Sequence, residues 1–169
     1  MKAVGVLLAI TLALALQTTL ARFVIRGTVA VDLVLVVVVY VALTSGPVTG
    51  LLSGAVAGLI QDALSSGVIG IGGLAKTIVG FLAGIIGTQF IVAQPLPRFV
   101  VFFGATALHA VVFIGLYVLL DLRHFPSPVP AVAGQALGNA VVGVIAFQLV
   151  ELLPGAVERR RASRGRVRR

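Results

Sequence analysis

Long apolar runs separated by short turn-forming breaks organise the whole chain. They cover residues 4–21, 29–43, 48–60, 74–93, 99–120 and 131–153. A hydrocarbon core of about 30 Å needs roughly 17–25 apolar residues as a helix, so the second and third runs are short for a full crossing. The breaks fall at Thr44-Ser45-Gly46-Pro47, at the Gly-rich stretch 65–73, at Gln94-Pro95-Leu96-Pro97, and at 125–130 with its three prolines. Turn chemistry is strong at each. Barrel-type alternation is missing, and open sheet edges cannot face lipid, so the pattern argues against strands. It predicts an all-α integral membrane protein, a compact bundle of about six transmembrane helices. Five is the rival count, if 29–43 and 48–60 form one re-entrant hairpin.

Composition narrows the class. Of 169 residues, 59% are hydrophobic and 11% charged, with a mean hydropathy of +1.16. Soluble domains carry about 45–50% apolar and about 25% charged residues. Too little polar surface remains here for a soluble enzyme, a nucleic-acid module or a disordered chain. No cysteine is present, which removes disulfides, thiolate metal sites and cysteine nucleophiles. Met1-Lys2 before an apolar run has the look of a signal peptide. One lysine is a thin n-region, however, and the polar Gln17-Thr18-Thr19 end suits a retained helix.

The formal charge of +8 is concentrated in Arg159, Arg160, Arg161, Arg164, Arg166, Arg168 and Arg169. Residues 1–158 therefore read as a polytopic transmembrane domain and 159–169 as a basic tail. With six spans both termini share a side. Lys2, Arg98 and the tail arginines then oppose Arg22, Arg26, Lys76 and Arg123. The positive-inside rule places both termini in the cytoplasm, with the tail held against anionic lipid of the inner leaflet rather than nucleic acid.

Glycine is abundant, 20 residues, and its spacing is informative. Gly50, Gly54 and Gly58 recur every four residues and lead to Asp62; Gly80 and Gly84 lie on a stripe with Lys76 behind them. Positions four apart share a helix face, and small faces let helices in lipid approach closely. Asp62 ends one helix and Lys76 opens the next, each at the unfavourable end of its own helix dipole. The expectation is an Asp62–Lys76 ion pair sealing the outer end of a glycine-packed hairpin, with Asp32 joining them in a polar cluster. The plainer alternative is a snorkelling Lys76 and a solvated Asp62. His109, Gln135 and Asn139 are candidates for intramembrane polar contacts, either interhelical hydrogen bonds or the wall of a substrate or ion path.

Zinc, Walker and nucleophile-elbow motifs are missing from the sequence. Gly70-Ile71-Gly72-Gly73 follows no strand, so a nucleotide reading fails on context. His109 and His124 are far apart, and no carboxylate spacing suits a metal. The reading is a non-enzyme with no cofactor and no metal.

Three segments taken in order resemble one family. The first helix ends Leu16-Gln17-Thr18-Thr19-Leu20. The second opens Val31-Asp32-Leu33-Val34-Leu35. The third holds Gly58-Leu59-Ile60-Gln61-Asp62-Ala63-Leu64-Ser65-Ser66-Gly67, then Ile69-Gly70-Ile71-Gly72-Gly73-Leu74. This order is similar to the bacterial rod shape-determining MreD family over about residues 10–90. Val31 stands where that family usually has proline, and the arginine tail is a further departure. The resemblance implies a non-enzymatic inner-membrane subunit of the cell-elongation complex. Its partners would be an MreC-like bitopic protein, an MreB-like cytoskeleton and a peptidoglycan polymerase and transpeptidase. The family's layout also looks like the substrate-binding subunits of energy-coupling-factor transporters. That gives an alternative, a small-solute-binding subunit with Asp32, Asp62, Lys76, His109 and Asn139 as pocket groups.

Overall fold

A computed structural model describes the backbone of residues 2–23, 31–65, 67–90, 94–122, 125 and 128–166. Within these, the side chains of residues 2–3, 20–23 and 153–166 are not described. Six helices follow one another: α1 (Lys2–Phe23), α2 (Leu33–Ser45), α3 (Pro47–Leu64), α4 (Ile71–Gln89), α5 (Pro95–Leu119) and α6 (Val129–Arg166). Among the described residues no strand occurs. Four helices are long and apolar enough to cross a membrane: α3, α4, α5 and the Val129–Leu152 part of α6. Val4–Thr19 of α1 and the whole of α2 are shorter apolar helices.

The shortest helix is the most central. α2 has 13 residues, about 20 Å at 1.5 Å per residue, and is apolar all round. A helix without a polar face belongs in an interior. Accordingly Val34, Leu35, Val36, Val38, Val39, Val41 and Ala42 are all buried, and α2 touches each of the other five helices. One side of it packs with Val79, Ala83, Phe102, Ala105, Ala140 and Phe147. The other side meets Ile10, Ala13, Leu14 and Ala57. Large apolar side chains elsewhere face outward, among them Leu8, Leu12, Val100, Val111 and Leu149. Such an exterior suits hydrocarbon, not water.

The pair α3–α4 is in the closest backbone contact. A methyl group added at Gly50 would collide with the Gly80 carbonyl, and one at Gly80 with the Gly50 carbonyl. At Gly54 it would strike the Lys76 carbonyl, at Gly58 the Cα of Gly73, and at Gly84 the Cα of Pro47. The two glycine stripes therefore lie against each other and bring backbone onto backbone.

Two sequence expectations need revision. The third run, read as short over 48–60, is a helix of 18 residues through Leu64. Gln61 and Asp62 sit inside it, because Asp62 finds hydrogen-bond donors that permit its burial. The sixth helix does not stop near 153 but continues to Arg166, so Arg159, Arg160, Arg161, Arg164 and Arg166 extend a helix. Their side chains, and all of Arg168 and Arg169, lie outside the described residues.

Candidate functional site

A short central helix has ends that stop below the membrane surface, where no water can satisfy its orphan N–H groups. At the start of α2, side chains replace the water. Asp32 is the N-cap: its Oδ1 accepts from the Leu35 N–H at 3.0 Å. Gln17 Oε1, reaching across from α1, accepts from the Val34 N–H at 3.2 Å. Asn139 Oδ1 on α6 accepts from the Asp32 N–H at 2.8 Å. The Asn139 amide then donates to Thr106 Oγ1 on α5 at 3.1 Å, and that hydroxyl donates to the Phe102 carbonyl at 2.9 Å. Asn139 is fully buried and Thr106 nearly so.

The second oxygen of Asp32 carries the charge pairing. Lys76 Nζ on α4 lies 3.0 Å from Asp32 Oδ2 and 3.2 Å from His109 Nε2 on α5. All three side chains are buried. An ammonium can only donate, so Nε2 is the acceptor here and the ring proton sits on Nδ1. His109 is thereby fixed as a neutral imidazole, stacked against Phe113 with ring centroids 5.7 Å apart. Asp32, Lys76, His109, Asn139 and Thr106 form one connected network over four helices.

The expected Asp62–Lys76 ion pair is not formed. α4 begins after Gly70, whose φ of 106° places it in the left-handed region and which has no side chain to cap the helix. Asp62 caps from the neighbouring helix instead. Its Oδ2 accepts from the N–H groups of Gly70 at 2.9 Å and Gly73 at 3.0 Å. Gly72 permits this approach, since a methyl group there would overlap Asp62 Oδ1. The carboxylate judged unfavourable at the end of α3 thus meets the favourable positive end of α4. Lys76 is left to Asp32, which arrives from a helix that sequence proximity did not suggest.

These groups border a polar cavity of about 320 Å³. Gln17, Gln61, Asp62, Lys76, His109 and Gln135 contribute to its wall. Gln135 is therefore at the cavity, whereas its neighbour Asn139 serves the cap of α2. Among the described residues Gln61 Oε1 is the buried side-chain atom that lacks a hydrogen-bond partner. No group of three or more His, Asp or Glu among the described residues could hold a metal ion.

A second charged contact closes the opposite end of the bundle. Arg98, in the first turn of α5, binds Glu151 of α6 through both guanidinium nitrogens, at 2.8 and 2.6 Å. Its guanidinium lies 3.9 Å from the centre of the Phe147 ring, which Tyr40 meets edge-on at 4.8 Å. Sequence reasoning used Arg98 and Glu151 only to count charge by side. The available signal was the one applied to Lys76, a cation at the positive end of its own helix. Gln17 and Thr106 were also missed as network members, because neither has a charge or a spacing that marks it.

Comparison with known proteins gives one match. The family model described as rod shape-determining protein MreD matches residues 1–154. No curated protein matches, and neither does any solved structure.

Proposed function

The chain belongs to the MreD family of rod shape-determining proteins, and from that premise we propose that it is a non-enzymatic subunit of the bacterial cell-elongation complex. In this reading it lies in the inner membrane with both termini in the cytoplasm. It contacts an MreC-like bitopic protein and, through the complex, an MreB-like cytoskeleton and a peptidoglycan polymerase and transpeptidase. The observation that carries the reading is the family match over nearly all the helical region. The distribution of polarity supports it. Asp32 and Lys76 meet inside the bundle, while large apolar side chains cover the outside. Such a body engages other transmembrane helices by apolar packing and small-residue contact. Deleting the gene should round rod-shaped cells, and the tagged protein should co-purify with a bitopic partner from membranes. Normal rods together with no such partner would refute the proposal.

The cavity favours a second reading, a small-solute-binding subunit of the energy-coupling-factor type, because charged and amide groups line an enclosed space. That reading requires a saturable effect of a soluble ligand on thermal stability and association with an ATPase module. A neighbouring reading frame for an MreB- or MreC-like protein would favour the first; one for an ABC-type ATPase would favour the second.

A further inference from the structure

The polar cavity has an apolar neighbour. A groove of about 550 Å³ runs along the outer faces of α5 and α6, lined by Phe103, Val111, Gly115, Val118, Val129 and Ala133 among others. Ala110, Ile114 and Val132 line both spaces, so the two meet and one molecule can occupy both. At Gly115 even a Cβ would find nothing within 4 Å, which leaves the groove open on that side. Each volume lies within the range of about 300–1,000 Å³ typical of ligand sites. A polar chamber continuous with an apolar, lipid-facing groove has the shape of an amphiphile.

The chamber's chemistry selects the head. Lys76 is neutralised by Asp32 at 3.0 Å, and Asp62 leaves one unmatched negative charge in the wall. A phosphate or carboxylate entering there meets repulsion. Gln61 Oε1 is buried and unmet, so the occupant must donate a hydrogen bond to it. The remaining polar wall is amide and hydroxyl: Gln17, Gln61, Gln135 and Ser65, beside the rings of Phe113 and Phe125. Amides both donate to and accept from hydroxyls, and ring faces pack against the C–H faces of a sugar. We infer that the joined cavities hold a membrane amphiphile with an uncharged polyhydroxyl head, the glycolipid class. Its head lies against Gln61 and one acyl chain in the α5–α6 groove. This site is independent of which partner proteins the chain contacts.

The test uses the full chain in nanodiscs with equal parts of monoglucosyl diacylglycerol, phosphatidylethanolamine and phosphatidylglycerol. Native mass spectrometry reads the lipid retained on release. The glucolipid should exceed each phospholipid roughly tenfold, a ratio that corresponds to about one well-made hydrogen bond. Q61L should bring the ratio close to one. A133F, at an exposed position of the groove, should lower glucolipid retention by obstructing the chain while leaving the cavity wall intact. Equal retention of all three lipids by the unaltered protein overturns the proposal, as does preference for the ammonium head of phosphatidylethanolamine. Should Q61L not fold, A133F decides: retention at the unaltered level overturns the site. An excess of free methyl glucoside should leave the lipid bound. Displacement by the free sugar would overturn the assignment of the chain to the groove and would point to a soluble ligand.

Discussion

Neutralising one member of the Asp32–Lys76 pair should cost more than neutralising both. In D32N the amide can keep the N-cap bond to Leu35, since asparagine caps as well as aspartate; what disappears is the charge opposite Lys76. The Lys76 ammonium, only 3% exposed, is then left with the His109 ring nitrogen and no counter-charge. Removing one partner of a buried pair costs about 3–5 kcal/mol. In K76M the carboxylate that remains still accepts from the Leu35 N–H at 3.0 Å and sits at the positive end of α2. That position returns about 0.3–1 kcal/mol, so K76M should be the milder of the two. The double variant D32N/K76M buries neither charge, and replacing a whole buried pair by neutral groups is often close to neutral.

The cycle is read by reversible unfolding in mixed dodecyl maltoside and SDS, followed by far-ultraviolet circular dichroism. The coupling energy should be at least about 2 kcal/mol, well above the roughly 0.5 kcal/mol within which independent sites add. Additive single effects would refute the pairing. A parallel cycle of D62N with K76M separates the two candidate partners. Asp62 is occupied with the Gly70 and Gly73 N–H groups, so its coupling to Lys76 should be clearly the smaller. The reverse order would restore the pairing that the sequence alone suggested.

Further variants test other parts of the bundle. G54A pushes a methyl group into the Lys76 carbonyl and should destabilise by about 1–3 kcal/mol, the usual cost of overpacking; G104A, with nothing within 4 Å of its Cβ, should be near neutral or slightly stabilising in the same unfolding assay. R98K keeps the charge but loses the two-pronged contact with Glu151 and the stacking on Phe147. Its melting temperature should fall, but by less than that of D32N, because Glu151 is half-exposed. Cysteines placed in this cysteine-free chain report sidedness through impermeant thiol labelling. Position 65 should react in intact cells stripped of any outer barrier and position 44 only after permeabilisation, and the opposite pattern would invert the proposed orientation.

What the sequence disclosed and what it hid divide along a physical line. The glycine stripes were legible because four-residue spacing fixes a helix face whatever that helix packs against. Gly50, Gly54 and Gly80 meet a partner backbone for that reason. The breaks were legible too: Pro47 and Pro95 stand in the first turns of α3 and α5, where a missing N–H costs nothing. Pairing between elements was not legible, since nothing in a linear pattern says that the start of α2 lies beside the start of α4. Asp62 and Lys76 are nearer in sequence, and each sits at the unfavourable end of its own helix; the argument stopped one step short. A carboxylate at the end of one helix can serve the beginning of the next, and the side-chain-free cap at Gly70 is the clue that this was needed.

The same step explains why the polar groups gather at one end of an otherwise apolar bundle. A 13-residue helix leaves its N–H groups inside the membrane, and every donor there requires an acceptor from a neighbour. Gln17 from α1, Asn139 from α6 and Asp32 itself meet that demand. Asp32 then requires a cation, supplied by Lys76, and the cation a further acceptor, supplied by His109. Each polar residue is thus the consequence of the one before it, and the sequence of needs begins with the length of α2. Polar networks of this kind are worth more complete than in parts, so loss of Asn139 or Gln17 should loosen the helix start and with it the placement of Lys76. The exposed apolar faces of α1, α5 and α6 have no such dependence, and there substitution changes contacts with lipid or partner while the bundle stays intact.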